Sequence, residues 1–441
     1  MKIKLIALFC LFAAAANAQK ISLPLNQAVQ MAVSKSNEVN HAKTRVETKG
    51  FELDALKNHR YPEVNVSGQY LRLANADVKL RASGEPSTDP NASESSPKVN
   101  QLALGRADVS MPIFSGFKLK NTIKASENLY RAEQSSAEFT TSQAILKVVE
   151  FYGELYKAQR SVELLNESLK SSNERVREFK DKEQNGLIAR NDLLKAQLQV
   201  SKTRLSLDRA EKDVRMLNYE LVVFLKLPEG TEIEISPENI DNDLFSKTVQ
   251  TEAQALASRK DLQAVRFGKK AAQANVKVAK SNYYPALSFT GGYIALDLQN
   301  VVSVTNAMNF GVGLSYNLSS IFKNGKEVKV AKSRANELDQ QESILTDQIK
   351  THIANARENY ELSLKQDAVY AEAVEQAAEN YRIVKDKYDN GLSDTNDLLE
   401  ADVEDLAAKI NLTYAKANVI IKYYEWLEAS GQLTESFILT K

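Results

Sequence analysis

The sequence predicts a mainly α chain with a membrane β-barrel portion, built from duplicated long helical hairpins plus two strand pairs. Three observations carry this. The segment Lys180-Asp181-Lys182-x-x-Asn185-Gly186-Leu187-x-x-x-Asn191-Asp192-Leu193-Leu194 returns 205 residues later as Lys385-Asp386-Lys387-x-x-Asn390-Gly391-Leu392-x-x-x-Asn396-Asp397-Leu398-Leu399. No proline lies between Pro112 and Pro228 or after Pro285, and no glycine between Lys326 and Asn390, which permits very long helices. Between the helical stretches lie short segments with period-two polarity, the pattern of a half-apolar strand.

In chain order, Met1 to Ala18 reads as a secretory leader: two lysines, an apolar run from Leu5 to Ala16, and Ala16-Asn17-Ala18 before a cut at Gln19. The only cysteine, Cys10, follows Phe9, where a lipoprotein signal needs a small residue, so no lipid anchor and no disulfide are expected. Losing Lys2 and Lys4 leaves 55 basic against 57 acidic residues, a balance that argues against nucleic acid as a partner. No later segment offers the ~20 apolar residues of a spanning helix, so membrane insertion falls to strands.

Asn26 to His59 and Thr251 to Asn282 read as two shorter helices. Each is followed by a strand pair. Tyr61-Pro62-x-Val64-x-Val66-x-Gly68-x-Tyr70 matches Tyr284-Pro285-x-Leu287-x-Phe289-x-Gly291-x-Tyr293 at an offset of 223. The two offsets differ by 18, so the first copy carries extra chain, assigned to a loop in the Ser/Pro/Asn-rich run from Ala82 to Asn100. Ala103 to Ile113 and the alternation of Phe310, Val312, Leu314, Tyr316 and Leu318 with small polar residues complete four strands. A soluble two-sided sheet has the same alternation; the leader and the missing spanning helix favour an outer-membrane barrel lined by water. Four strands cannot close a barrel, and open edges in lipid leave unpaired backbone groups that cost several kcal/mol each. The chain must therefore oligomerise.

Lys118 to Gln184 and Lys326 to Asn390 are the long helices; about 64 residues would extend ~96 Å. Each ends at an Asn-Gly suited to a left-handed cap, after which Asn191 or Asn396 can cap a returning helix with Asp192 or Asp397 in its first turn. The first returning helix carries a seam through Leu193, Ala196, Val200, Thr203, Leu207, Ala210, Val214, Leu217, Leu221 and Phe224. The second carries one through Leu399, Val403, Leu406, Ile410, Thr413, Ala417, Ile420, Tyr424 and Leu427. The repeats span about residues 19–230 and 251–430 of a single unit.

Duplicated helix, strand pair, long helix, Asn-Gly-Leu turn and returning helix together resemble the TolC-like outer membrane efflux proteins over essentially the whole mature chain. The resemblance implies a homotrimeric α-barrel/β-barrel channel-tunnel, twelve-stranded in the outer membrane of a Gram-negative bacterium and extending into the periplasm. It implies a passive exit duct of a tripartite export system, partnered by a periplasmic adaptor (membrane fusion) protein and an inner-membrane transporter. Residues 227–250 with 431–441 would form an equatorial belt. Asn185, Gly186, Leu187, Asn390, Gly391 and Leu392 would be adaptor-docking tips; a simple helix-reversing turn explains the glycines but not an exposed leucine in both copies. Asp397 and Glu400 match the family's carboxylates at the periplasmic entrance, and Tyr388 and Asp192 match positions that hold it closed. An ordinary solvated acidic face accounts for Asp397 and Glu400 equally well. The first copy has Lys195 opposite Glu400, and Ser393 stands where the family's best-studied member carries a latch arginine.

Only His41, His59 and His352 are available for acid-base or ligand chemistry, widely separated along the chain. No nucleophile, base or metal constellation accompanies them, so neither an enzyme nor a cofactor is expected. Gly291-Gly292 lies within a strand and is no phosphate loop. A periplasmic coiled-coil adaptor would have one hairpin and more sheet. Small-molecule efflux is the favoured cargo class, with type I protein secretion and metal efflux as alternatives.

Overall fold

The structure is a computed structural model that describes residues 20–77, 98–235 and 249–437. The leader, most of the Ala82–Asn100 segment and part of the equatorial segment lie outside the described residues. In chain order the elements are β1 (Lys20–Ser22), α1 (Leu25–Lys35), α2 (Asn37–Asn58), β2 (Glu63–Asp77), β3 (Lys98–Ser115), α3 (Lys118–Gln184) and α4 (Arg190–Leu225). There follow β4 (Glu232–Glu234), α5 (Glu252–Ser258), α6 (Lys260–Ser281), β5 (Ala286–Leu298), β6 (Val302–Ser315), α7 (Ser320–Asp389), α8 (Thr395–Ala429) and α9 (Leu433–Ser436).

Helices α3 and α7 run for 67 and 70 residues without a break. The shorter helices are each broken, unlike the continuous helices expected. The breaks fall at Ser36 and Arg259, both with extended ψ, and these positions are related by the same offset of 223 that relates the strands. Ser36 Oγ accepts from the Val39 N–H at 3.3 Å and so starts α2 afresh. At Arg259 the guanidinium folds onto Asp261 and donates to the Ala429 carbonyl at 2.9 Å. Helical periodicity continues through both breaks, which is why pattern alone misses them.

The chain divides into two compact units that cut across the repeats: Met1–Val46, Glu133–Ala264 and Glu342–Lys441 in one, Glu47–Ala132 and Val265–Gln341 in the other. The first unit holds the main core. Leu25, Val29, Ile145, Val148, Leu155, Leu221, Leu225, Tyr424 and Leu427 are buried together. β1 pairs in parallel with β4, and Gln159 bonds both faces of that short extension, donating to Ile233 O and accepting from Ile235 N–H. Phe437 stacks on Tyr424 at 5.2 Å, which ties the described end of the chain into the same core. Gly153, mid-helix in α3, is required by contact: a Cβ there would lie 2.6 Å from Ile421 Cδ1. The helix-propensity cost of that glycine, about 1 kcal/mol, is the smaller of the two effects, since overpacking costs ~1–3 kcal/mol.

The seam expected on α4 is packed, with Leu193, Ala196, Thr203, Leu207 and Leu221 buried. That on α8 is only partly so. The buried stripe near the turn is Leu398, Ala401, Ala408 and Ala415, while Val403 is exposed and Leu406 and Ile410 face a groove shared with Ala210 and Leu217 of α4. Two apolar stripes run side by side there, and alanine permits the closer helix approach.

In the second unit β2, β3, β5 and β6 form one antiparallel sheet in the order β2-β3-β5-β6, so the two strand pairs join through β3 and β5 and leave β2 and β6 as open edges. The strands are 13 to 18 residues long, and β3 (Lys98–Ser115) extends beyond the Ala103 to Ile113 read from the sequence at both ends. Pro112, in central β3, sits at a register shift, where a strand tolerates the missing N–H. No described helix is long and apolar enough to cross a membrane. The pairing instead collects Val64 and Val66, Ala107, Val109 and Met111, Phe289 and Tyr293, and Met308, Phe310, Val312 and Leu314 on one face.

Candidate functional site at the hairpin tips

Both hairpins turn in the same way. After α3 the Gly186 N–H bonds to Glu183 O at 3.0 Å and the Leu187 N–H to Lys182 O at 2.8 Å; after α7 the Gly391 N–H bonds to Tyr388 O at 3.0 Å and the Leu392 N–H to Lys387 O at 2.8 Å. This is the Schellman pattern, and it places Gly186 and Gly391 at φ 71° and 72°, where glycine carries no Cβ penalty. Asn185 and Asn390 each donate from Nδ2 to the carbonyl four residues back at 2.8 Å. The motif is often closed by an apolar contact between the residue after the glycine and the helix's third-last residue. Here the latter is Lys182 or Lys387, and Leu187 and Leu392 stand 73% and 78% exposed. The turn accounts for the glycines and leaves both leucines free.

The caps of the returning helices fall two residues earlier than expected, so Asn191 and Asn396 lie inside the first turns. Asp394 caps α8, accepting from the N–H groups of Asn396 and Asp397 at 2.7 and 3.0 Å; the matching position before α4 is Ala189, which has no acceptor. Asp192 and Asp397 do occupy the first turns. Asp192 lies 3.7 Å from Lys195. Asp397 accepts from Ser393 Oγ at 2.7 Å, a bond that holds the carboxylate within its own turn. Glu400 is exposed and lines the same groove as Lys195 and Lys202.

Behind the turns, Phe179, Leu193, Ala196 and Leu398 form a small core joining the two hairpins, and Tyr388 packs against it. Its ring stacks on Phe179 with centroids 5.7 Å apart, and Lys182 Nζ sits 5.2 Å from its centroid. The Tyr388 hydroxyl is buried without a hydrogen bond of normal geometry. Burial above all raises its pKa; Thr395 and Arg175 oppose this, while Asp192 and Asp389 add to it. Tyr388 and Asp192 are thus near one another in the fold, whereas Asp397 and Glu400 are exposed on α8.

A connection that sequence reasoning missed lies a few turns further along. Arg175 of α3 donates to Asp402 of α8 through both terminal nitrogens, at 2.8 and 3.0 Å, and to Tyr381 Oη of α7 at 3.0 Å. The two charged side chains are 8% and 15% exposed. Burial lowers the Arg175 pKa, but its bonds to Asp402 outweigh that and the net shift is upward. The available signal was an arginine on the buried stripe of α3, between Ser172 and Phe179.

Among the described residues no group of His, Cys, Asp and Glu could hold a metal ion. The sheet, with its apolar face and two open edges, and the pair of helical hairpins with matched turns are the parts expected of a membrane channel subunit. A sequence profile of the outer membrane efflux proteins matches residues 28–221 and 253–431, and the chain belongs to that family. The outer membrane efflux protein BepC of Brucella suis biovar 1 (strain 1330) is 22% identical over 324 residues, 73% of this chain and 70% of that one. The outer-membrane channel OprN has the same fold, with a TM-score of 0.79 at 18% identity over 92% of this chain and 90% of its own. So does the outer membrane protein VceC of Vibrio cholerae, with a TM-score of 0.76 at 16% identity over 92% and 96%. The chain is an outer-membrane protein that reaches into the periplasm and serves transport.

Proposed function

We infer that three copies of this chain close their open sheet edges on one another, β6 of one copy beside β2 of the next, into a twelve-stranded barrel. The observation that carries this is the four-stranded sheet itself, whose two unpaired edges are untenable in lipid for one copy alone. The assembly is a passive exit duct of a tripartite export system. Small molecules reach it from an inner-membrane transporter through a periplasmic adaptor.

The adaptor docks at the tips, on Leu187 and Leu392 with Asn185, Gly186, Asn390 and Gly391 shaping the turns. Exposed leucines that no cap requires support this. Asp397 and Glu400, three times over, ring the periplasmic entrance, where crowded carboxylates attract cations. Tyr388 and Asp192 hold the hairpins closed. The test is mild cross-linking in native envelopes, purification through a tag after Lys441, and mass spectrometry of what accompanies it. A proton-driven transporter with its adaptor supports small-molecule or metal efflux, an ATP-driven exporter points to protein secretion, and recovery from a soluble fraction with neither overturns the duct.

A further inference from the structure

The polarity of the two sheet faces exchanges partway along the strands. Near the helices the face opposite the apolar one is polar or small: Glu63 pairs with Ser110 and Asn65 with Asp108, while Thr290 and Gly292 face Gly311 and Asn309. Nearer the far ends of the strands that same face turns apolar. Leu71, Leu102, Leu298 and Val302 form one rung across all four strands, and Leu104, Leu296 and Val304 form the next on three strands, with Gln69 on β2. The outer face changes in the opposite sense at this level, where Asp297 pairs with Ser303 and Arg72 with Gln101. One rung below the apolar pair of rungs lie Arg106 and, beyond it, Asp108, joined at 2.6 Å.

A strand leaving the lipid band has reason to become polar outside. It has none to become apolar inside unless the inner surface meets apolar matter. We propose that these two rungs form an apolar collar at the exit of the lumen, and that it is a contact site for the hydrocarbon part of amphipathic small molecules, with the Arg106–Asp108 level beside it for their polar part. The proposal rests on the duct reading, because only in the closed barrel does this face line the lumen.

The test is single-channel conductance of the full protein in planar bilayers, with octyl-, decyl- and dodecyltrimethylammonium added on the side of the strand ends. Block is expected to tighten with chain length, by up to about fourfold per methylene for full burial. Leu104→Ser with Leu296→Ser should flatten that dependence, and Leu104→Met with Leu296→Met should retain it. Leu296→Thr alone, a smaller change to the strand, should weaken dodecyl block severalfold. Block independent of chain length, or equal dependence in the serine and methionine variants, overturns the collar while leaving the duct intact. Absence of conductance from the wild-type protein overturns the duct itself.

Discussion

Asp402→Asn tests how the two hairpins are held together. Asp402 compensates a guanidinium that is 8% exposed and cannot deprotonate, through two charge-assisted bonds of 2.8 and 3.0 Å. Breaking a buried pair by removing one partner costs ~3–5 kcal/mol because the remaining charge is stranded. The Tyr381 hydroxyl, 3.0 Å away, is a neutral acceptor and recovers only part of this, about 1–2 kcal/mol. Local opening of the hairpin pair should therefore become easier by roughly 1–4 kcal/mol, or about 5- to 900-fold. Amide hydrogen exchange of α7 and α8 around Tyr381 and Asp402 reads that directly. Arg175→Met with Asp402→Leu, which removes both charges, should lie much closer to wild type. Equal exchange in wild type and Asp402→Asn, or a double variant as labile as the single one, would refute the clamp.

Leu187→Ser with Leu392→Ser should leave helix content and thermal stability unchanged, because both side chains are exposed, yet reduce co-purified adaptor at least tenfold; full retention removes the leucines from docking. Gly391→Ala should instead cost ~1–2 kcal/mol through φ alone, since no atom lies within 4 Å of the added Cβ, and a variant as stable as wild type contradicts the turn argument. Asp397→Ala with Glu400→Ala should abolish block by multivalent cations added on the periplasmic side and lower cation preference; unaltered conductance and block would sink the entrance ring. Burial above all, helped by Asp261 and Glu425 against Arg259 and His352, raises the Glu428 carboxyl above its usual 4.5. A raised folded pKa makes its favourable contribution below the unfolded value and loses it as pH rises through the folded one. Melting curves should therefore show the stability of Glu428→Gln relative to wild type rising from acid to neutral pH; a relative stability that falls over that range means the Arg259 and His352 pairing prevails.

The hairpins were legible because proline is excluded over long stretches and glycine stands at matched turns: α3 begins and ends at the residues expected, and Gly186 and Gly391 take the φ that their cap demands. The strands were legible as period two, but not in their length or in the exchange of faces, because Leu102, Leu104, Ile294 and Leu296 read as ordinary alternation until pairing shows which face each joins. The break at Arg259 and the Arg175–Asp402 bond both depend on partners more than 90 residues away, and a seam pattern does not name partners. On α8 two adjacent apolar stripes satisfied the same period. The packed one is set by how closely alanine lets a neighbour approach.

Edge closure between copies is the claim on which the rest depends, and cysteine pairs across that edge test it most directly. The only native cysteine is Cys10, more than 50 residues from either strand, so cysteines placed on β2 at Asn65 or Ser67 and on β6 at Asn309 or Gly311 would have at most that one competitor, removed by Cys10→Ala. Oxidation in outer-membrane fractions is predicted to give, for at least one pair, a covalent ladder that ends at three copies. A ladder ending at two, or chains that stay single while embedded in the membrane, would contradict it.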